Sequence, residues 1–111
     1  LTIEHGAQLK PEDWEAIATL HWQRREYGQA GKAYAKAPAT PRNVYRAARG
    51  QQLGNFKNEA IALYQQLIRD FPTATDTGLG LLRLSRISPQ EDAVIYLDRI
   101  IKEFPDQAGA A

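Results

Sequence analysis

The sequence contains no cysteine and no methionine, and only two serines (Ser85, Ser88) and two histidines (His5, His21). Without cysteine there is no disulfide, no thiolate nucleophile and no cysteine-ligated zinc, and the compartment stays open. Two histidines with no HExxH spacing make a poor metal site. His5 lies in an N-terminal extension, and His21 reads as a partly buried packing residue on a helix. No Gly-x-Ser-x-Gly and no GxxxxGKS/T run occurs, so neither a nucleophile elbow nor a phosphate loop is present. No apolar run approaches the roughly 18–20 residues that span a bilayer, so no transmembrane segment is expected. An excess of one charge is missing too: 14 Lys and Arg stand against 13 Asp and Glu. That balance argues against a general nucleic-acid binder, which would be far more basic. The start, Leu1 to Lys10, lacks the basic-then-apolar pattern of a signal peptide. Both ends read as cut from a longer chain.

What the sequence does have is a repeat. Phe71-Pro72 returns as Phe104-Pro105, 33 positions later. The preceding stretches align at that offset without gaps. Ala60 falls on Ala93, Ile61 on Val94, Tyr64 on Leu97, Leu67 on Ile100 and Ile68 on Ile101. Apolar residues in each copy recur at three- and four-residue steps, the period of an amphipathic helix. An earlier copy, Ala30, Tyr34 and Ala37, keeps the spacing of Ala60, Tyr64 and Leu67, but the step between them is 30. Each copy is led by another helical stretch: Trp14, Ile17, Ala18 and His21; then Val44, Ala47, Ala48 and Gln51; then Leu79, Leu81, Leu82 and Leu84. Each unit is therefore helix, turn, helix.

Turn signals fall between the helices of each unit: Gly28 beside the first, Gly54-Asn55 in the second, Ser88-Pro89 in the third. Ser88 with Glu91 three positions on predicts a capping box, with Pro89 opening the helix. Thr40-Pro41 resembles the start of that pattern. Pro72 and Pro105 stop the helices before them.

This unit resembles the tetratricopeptide repeat. The best match is residues 11–38, where Trp14, Ile17, Ala18, Tyr27, Ala30, Tyr34 and Ala37 occupy the pattern positions of Trp, Leu, Gly, Tyr, Ala, Phe and Ala. The resemblance implies an all-α fold, a right-handed α-α superhelix of about three helical hairpins. The units are 11–38, 41–72 and 75–105, after an extension at 1–10 and before the start of a further helix at 109–111. Ala18 and Ala30 are small so that two helices approach closely. Tyr34, Tyr64 and Leu97 are large and fill the gap to the next unit. Gly78-Leu79-Gly80 reads as a close helix contact.

Glu12, Asp13 and Glu15 suit the positive end of a helix and need no acid–base role. Asp98 and Lys102 stand at salt-bridge spacing. Arg42, Arg46 and Arg49 share one helical face, and Arg83 and Arg86 repeat the three-residue step. The resemblance implies that first helices line the concave surface. There these arginines would grip carboxylates or phosphates with their planar forks, unless they only form a solvated face. Trp22 lies at the edge of the buried face, either packing between units or serving as an aromatic anchor. Trp22, Arg42, Arg46, Arg49, Arg83 and Arg86 are the candidate partner-binding residues. No catalytic, cofactor-binding or metal-ligating residue is expected.

The run from Tyr34 to Leu84 (Tyr-Ala-Lys-Ala-Pro, then Thr-Pro-Arg-Asn-Val-Tyr-Arg-Ala-Ala-Arg-Gly, then Thr-Gly-Leu-Gly-Leu-Leu-Arg-Leu) is similar to the helical N-terminal region of soluble lytic transglycosylases, above all the cyanobacterial kind. That resemblance implies a periplasmic or envelope setting, a peptidoglycan association through the parent and a non-catalytic accessory role; the family's catalytic Glu-Ser motif has no match in the chain. A free-standing adaptor, cytoplasmic in setting, is the alternative. Either takes a protein or peptide partner, or another domain of the parent. Exposed terminal repeats would also permit oligomers.

Overall fold

A computed structural model describes residues 9–110, with side chains to residue 107. His5 and the rest of segment 1–8 lie outside the described residues, as does Ala111. Among those described there are seven helices and no strand: α1 Pro11–Gln23, α2 Tyr27–Tyr34, α3 Pro41–Leu53, α4 Lys57–Asp70, α5 Thr75–Ile87, α6 Gln90–Glu103 and α7 Pro105–Ala110. Consecutive helices pack on one another as stacked antiparallel hairpins in a body of 50 × 25 × 22 Å. The fold is all-α and of the tetratricopeptide kind.

Local chemistry fixes the helix ends. Pro11 and Pro41 open α1 and α3, where a missing N–H is harmless. The Asp13 carboxylate accepts the Lys10 N–H at 2.9 Å, and the Thr40 hydroxyl accepts the Asn43 N–H at 3.1 Å. α1 and α3 both end in a Schellman turn. Glu26 N–H donates to the His21 carbonyl (2.9 Å) and Arg25 N–H to that of Trp22 (3.0 Å). Thirty residues on, Phe56 donates to Gln51 (2.8 Å) and Asn55 to Gln52 (3.1 Å). The residue at the bend is left-handed in both, Arg25 at φ 62° and Asn55 at φ 67°. α4 and α6 are each 14 residues and leave through nearly the same backbone, Phe71 at φ −134°, ψ 62° and Phe104 at φ −135°, ψ 61°. α2 has only 8 residues. Pro38 carries no N–H to bond the Tyr34 carbonyl and disfavours helical backbone at Ala37, so the helix stops four residues earlier.

The core runs along the stack. Ala18, Ala30, Ala33, Tyr34 and Ala47 form its first section. Ala48, Ala60, Tyr64 and Leu84 form the second, and Leu81, Ile100 and Phe104 the third. Ala18 and Ala30 are fully buried where α1 meets α2, as their size requires. Glycine sets the closest approaches. A Cβ on Gly50 would lie 2.5 Å from the Tyr27 carbonyl oxygen and 2.7 Å from Gly31 Cα. One on Gly54 would lie 2.9 Å from Gly28 Cα, so α2 and α3 touch backbone to backbone. Gly78 faces the Phe104 ring and Gly80 the Leu67 side chain, the close contact expected of Gly78-Leu79-Gly80.

Three expectations need correction. Ser88 does not cap α6. Pro89 has extended backbone (φ −56°, ψ 154°), so the helix starts at Gln90, and the Ser88 hydroxyl turns back to the Leu84 carbonyl of α5 at 2.6 Å. Leu97 fills no gap: it is 41% exposed, and its neighbour Tyr96 packs inward instead. The last helix starts at Pro105, not at 109, because a proline that ends α6 equally well opens α7.

Candidate interaction face

α1, α3 and α5 are each 13 residues long, so their side chains compare by position along the helix. The sixth and tenth residues look toward the second helix of the preceding hairpin: Arg46 reaches Tyr34, Gly50 meets Gly31, and Gly80 meets Leu67. The ninth residues are Thr19, Arg49 and Arg83, and the twelfth are Trp22, Gln52 and Arg86. These form a second face, beside that contact.

Two tyrosines rooted in the second helices reach this face. Tyr34 is 2% exposed, yet its hydroxyl lies 3.1 Å from Thr19 Oγ1 and accepts Arg46 Nη1–H at 2.8 Å. Tyr64 is fully buried, and its hydroxyl donates to Gln52 Oε1 at 2.7 Å. Burial, aided by Tyr45, pushes the Tyr64 phenol above its ordinary pKa, while Arg49 and Arg83 pull the other way. Both guanidinium groups thus favour the charged form of a phenol that burial keeps neutral.

The six candidate residues divide accordingly. Trp22 is half-buried and meets Tyr27 and Tyr34 edge-on, at 5.0 and 6.0 Å between ring centres. The Arg46 guanidinium stands 5.1 Å above its ring. Trp22 and Arg46 are thus tied to each other and to the core. Arg42 lies 3.5 Å from the Glu15 carboxylate. Arg49, Arg83 and Arg86 make no ion pair among the described residues. Arg86 is exposed, whereas Arg83 is half-buried with its Nε enclosed and without a hydrogen-bond partner. A cleft of about 530 Å³ beside α1 includes Arg42, but its wall also carries Glu12 and Glu15 and none of the other five.

Sequence reasoning missed several members. Asn43, fully buried, donates to Glu15 (2.9 Å) and to the Pro38 carbonyl (3.0 Å), tying α1 to the loop before α3. Tyr45 and Gln52 share the stripe of Arg49, at helical steps of four and three that were open to view. At the first turn, His21 Nδ1 donates to the Glu26 carboxylate at 3.0 Å. That bond, with the nearby charge of Arg24, holds Glu26 below the usual carboxylate range. The Asp98–Lys102 pair forms at 2.9 Å, as its spacing implies.

Among the described residues, no three His, Asp or Glu side chains are grouped to hold a metal ion, and no helix is long and apolar enough to cross a membrane. Residues 43–74 match the family model described as Tetratricopeptide repeat. That match falls on the second unit, not on 11–38, where the resemblance is easiest to see by eye. No curated protein matches the chain, and no solved structure does. The matched residues 43–74 cover nearly all of α3 and the whole of α4, so the similarity to a tetratricopeptide repeat falls on one helical hairpin of an all-α stack.

Proposed function

We propose that the chain is a non-catalytic protein-interaction module whose α1–α3–α5 face holds an acidic segment of a partner protein. The observation that carries this reading is Arg49 beside Arg83. They stand at the same position of adjacent helices, neither is paired to a carboxylate, and the Arg83 Nε donor is enclosed without an acceptor. An enclosed donor calls for an acceptor, and a carboxylate suits the guanidinium fork. Helices packed through buried tyrosines present the pair already in place, which lowers the ordering penalty of binding.

A dye-labelled oligo-glutamate peptide, followed by fluorescence anisotropy, tests this. It is expected to bind in a salt-dependent manner, with oligo-glutamine much weaker. Replacing Arg49 and Arg83 together by Gln removes two charge-assisted contacts of about 1.5–3 kcal/mol each, so affinity should drop by about a hundredfold or more. Equal affinity of the double variant would sink the reading.

For the parent protein, the resemblance of Tyr34 to Leu84 to the helical region of lytic transglycosylases supports an accessory role in the cell envelope. There the module would sit beside a domain that cleaves peptidoglycan. The isolated chain should release no peptidoglycan fragments. A parent reading frame with no lysozyme-like region leaves the free-standing adaptor in its place.

A further inference from the structure

α3 and α5 carry a charge imbalance that the near-neutral chain conceals. α3 holds Arg42, Arg46 and Arg49 with no acidic residue, and α5 holds Arg83 and Arg86 with Asp76 alone. Arg42 is paired to Glu15, and Arg46 is stacked on Trp22. Arg49, Arg83 and Arg86 are left without an ion pair among the described residues. Asp76 stands two helical turns before Arg83, about 10 Å along the axis.

Gln52 belongs to the stripe of Arg49 and is half-buried. The Tyr64 hydroxyl donates to its Oε1 at 2.7 Å, so the acceptor end of the amide is engaged. Its Nε2 hydrogens remain for another partner. Because Tyr64 is fully buried, the hydroxyl that fixes this amide is itself held in place. Everything offered here is therefore a donor: the Gln52 amide and the guanidinium groups of Arg49, Arg83 and Arg86. One of those donors, Arg83 Nε, is enclosed without an acceptor.

Three unpaired positive charges exceed what a single carboxylate balances. Arg83 and Arg86 are three apart on one helix, so their Cβ atoms lie about 5–6 Å apart. Carboxylates on one side of an extended peptide stand about 6.5–7 Å apart, and each brings only two oxygens. A phosphate group concentrates a charge of about −1.5 to −2 and three acceptor oxygens on one centre. Guanidinium forks grip such a group bidentately. Building on the acidic-segment reading, we propose that Arg49, Gln52, Arg83 and Arg86 hold a phosphorylated side chain within the partner's acidic segment. A nucleic-acid backbone fits this surface less well. Its phosphates run in a track, whereas the free cations stop at α3, and α1 carries Glu12, Asp13 and Glu15 with no Lys or Arg.

The test compares three dye-labelled, glutamate-rich peptides by fluorescence anisotropy on the full chain. One has glutamate at its centre and one has phosphoserine there. The third has the central glutamate and an additional glutamate, which matches the charge of the phosphopeptide without its phosphate. The phosphopeptide should bind about tenfold more tightly than either, the effect of one further charge-assisted contact. Arg86→Gln, at an exposed position, should erase that preference and barely change the affinity for the glutamate peptides. Gln52→Glu keeps an acceptor for the Tyr64 hydroxyl but sets a negative charge among the arginines. It should weaken the phosphopeptide most, with the helical circular dichroism unchanged. Equal binding of the three peptides overturns the inference and leaves the acidic-segment reading standing, whereas binding by none of them overturns both. An Arg86→Gln chain that retains the full preference for phosphoserine overturns it as well. So does a labelled single-stranded oligonucleotide that binds more tightly than the phosphopeptide.

Discussion

The two junctions between hairpins join equivalent helices by opposite means. Between α2 and α3, Gly31 meets Gly50 and Gly28 meets Gly54, and no side chain separates the backbones. Between α4 and α5, the places of Gly31 and Gly50 are taken by Ile61 and Leu84, which join a cluster around Tyr64. The first junction gains closeness and shape complementarity but leaves no slack. The second gains apolar area, about 1.5–3 kcal/mol for each large side chain fully buried. One architecture therefore accepts either solution, and the two should respond differently to the same substitution.

The strongest way to break the comparison is to give the first junction the residue of the second. In Gly50→Leu the new side chain is directed at backbone atoms that cannot turn aside. A loss of more than about 4 kcal/mol is expected, in the range of severe defects, with unfolding at low urea. Leu84→Ala at the second junction leaves a cavity among Ala60, Tyr64 and Ala48 and should cost about 3 kcal/mol, read as a lower urea midpoint with an unchanged slope. The sharpest discrimination comes from the smallest change. In Gly80→Ala the new methyl group would lie 2.7 Å from Leu67 Cδ2, the end of a flexible side chain, and in ordinary contact with the Tyr64 ring at 3.5 Å, while the helix gains up to ~1 kcal/mol in propensity. Its unfolding free energy, read from the urea midpoint, should stay within about 1 kcal/mol of the parent. A large loss there would mean that both junctions are equally rigid.

The second helices were legible because their signal is redundant. Ala60, Tyr64 and Leu67 repeat as Ala93, Leu97 and Ile100 at one fixed offset, closed by the same Phe-Pro. The first helices were harder. α3 and α5 begin 34 residues apart, whereas α4 and α6 begin 33 apart, so no single offset aligns both. The glycine junction was not legible at all. Gly28 reads as a turn residue, and nothing local tells Gly31 or Gly50 from a weak helix former. Ser88 misled because a capping box looks the same whether or not the following proline is helical. Of the candidate face, the arginine stripe was visible in spacing. Which arginines are already engaged was not, since the Tyr34 and Trp22 that hold Arg46 come from other helices.

The buried tyrosines have a consequence for how the molecule reports on its own state. Tyr34 and Tyr64 each pass a ring through the core and end in a hydroxyl at the arginine-lined face. A change that shortens either ring therefore registers twice, as a void between hairpins and as a lost hydrogen bond at the surface.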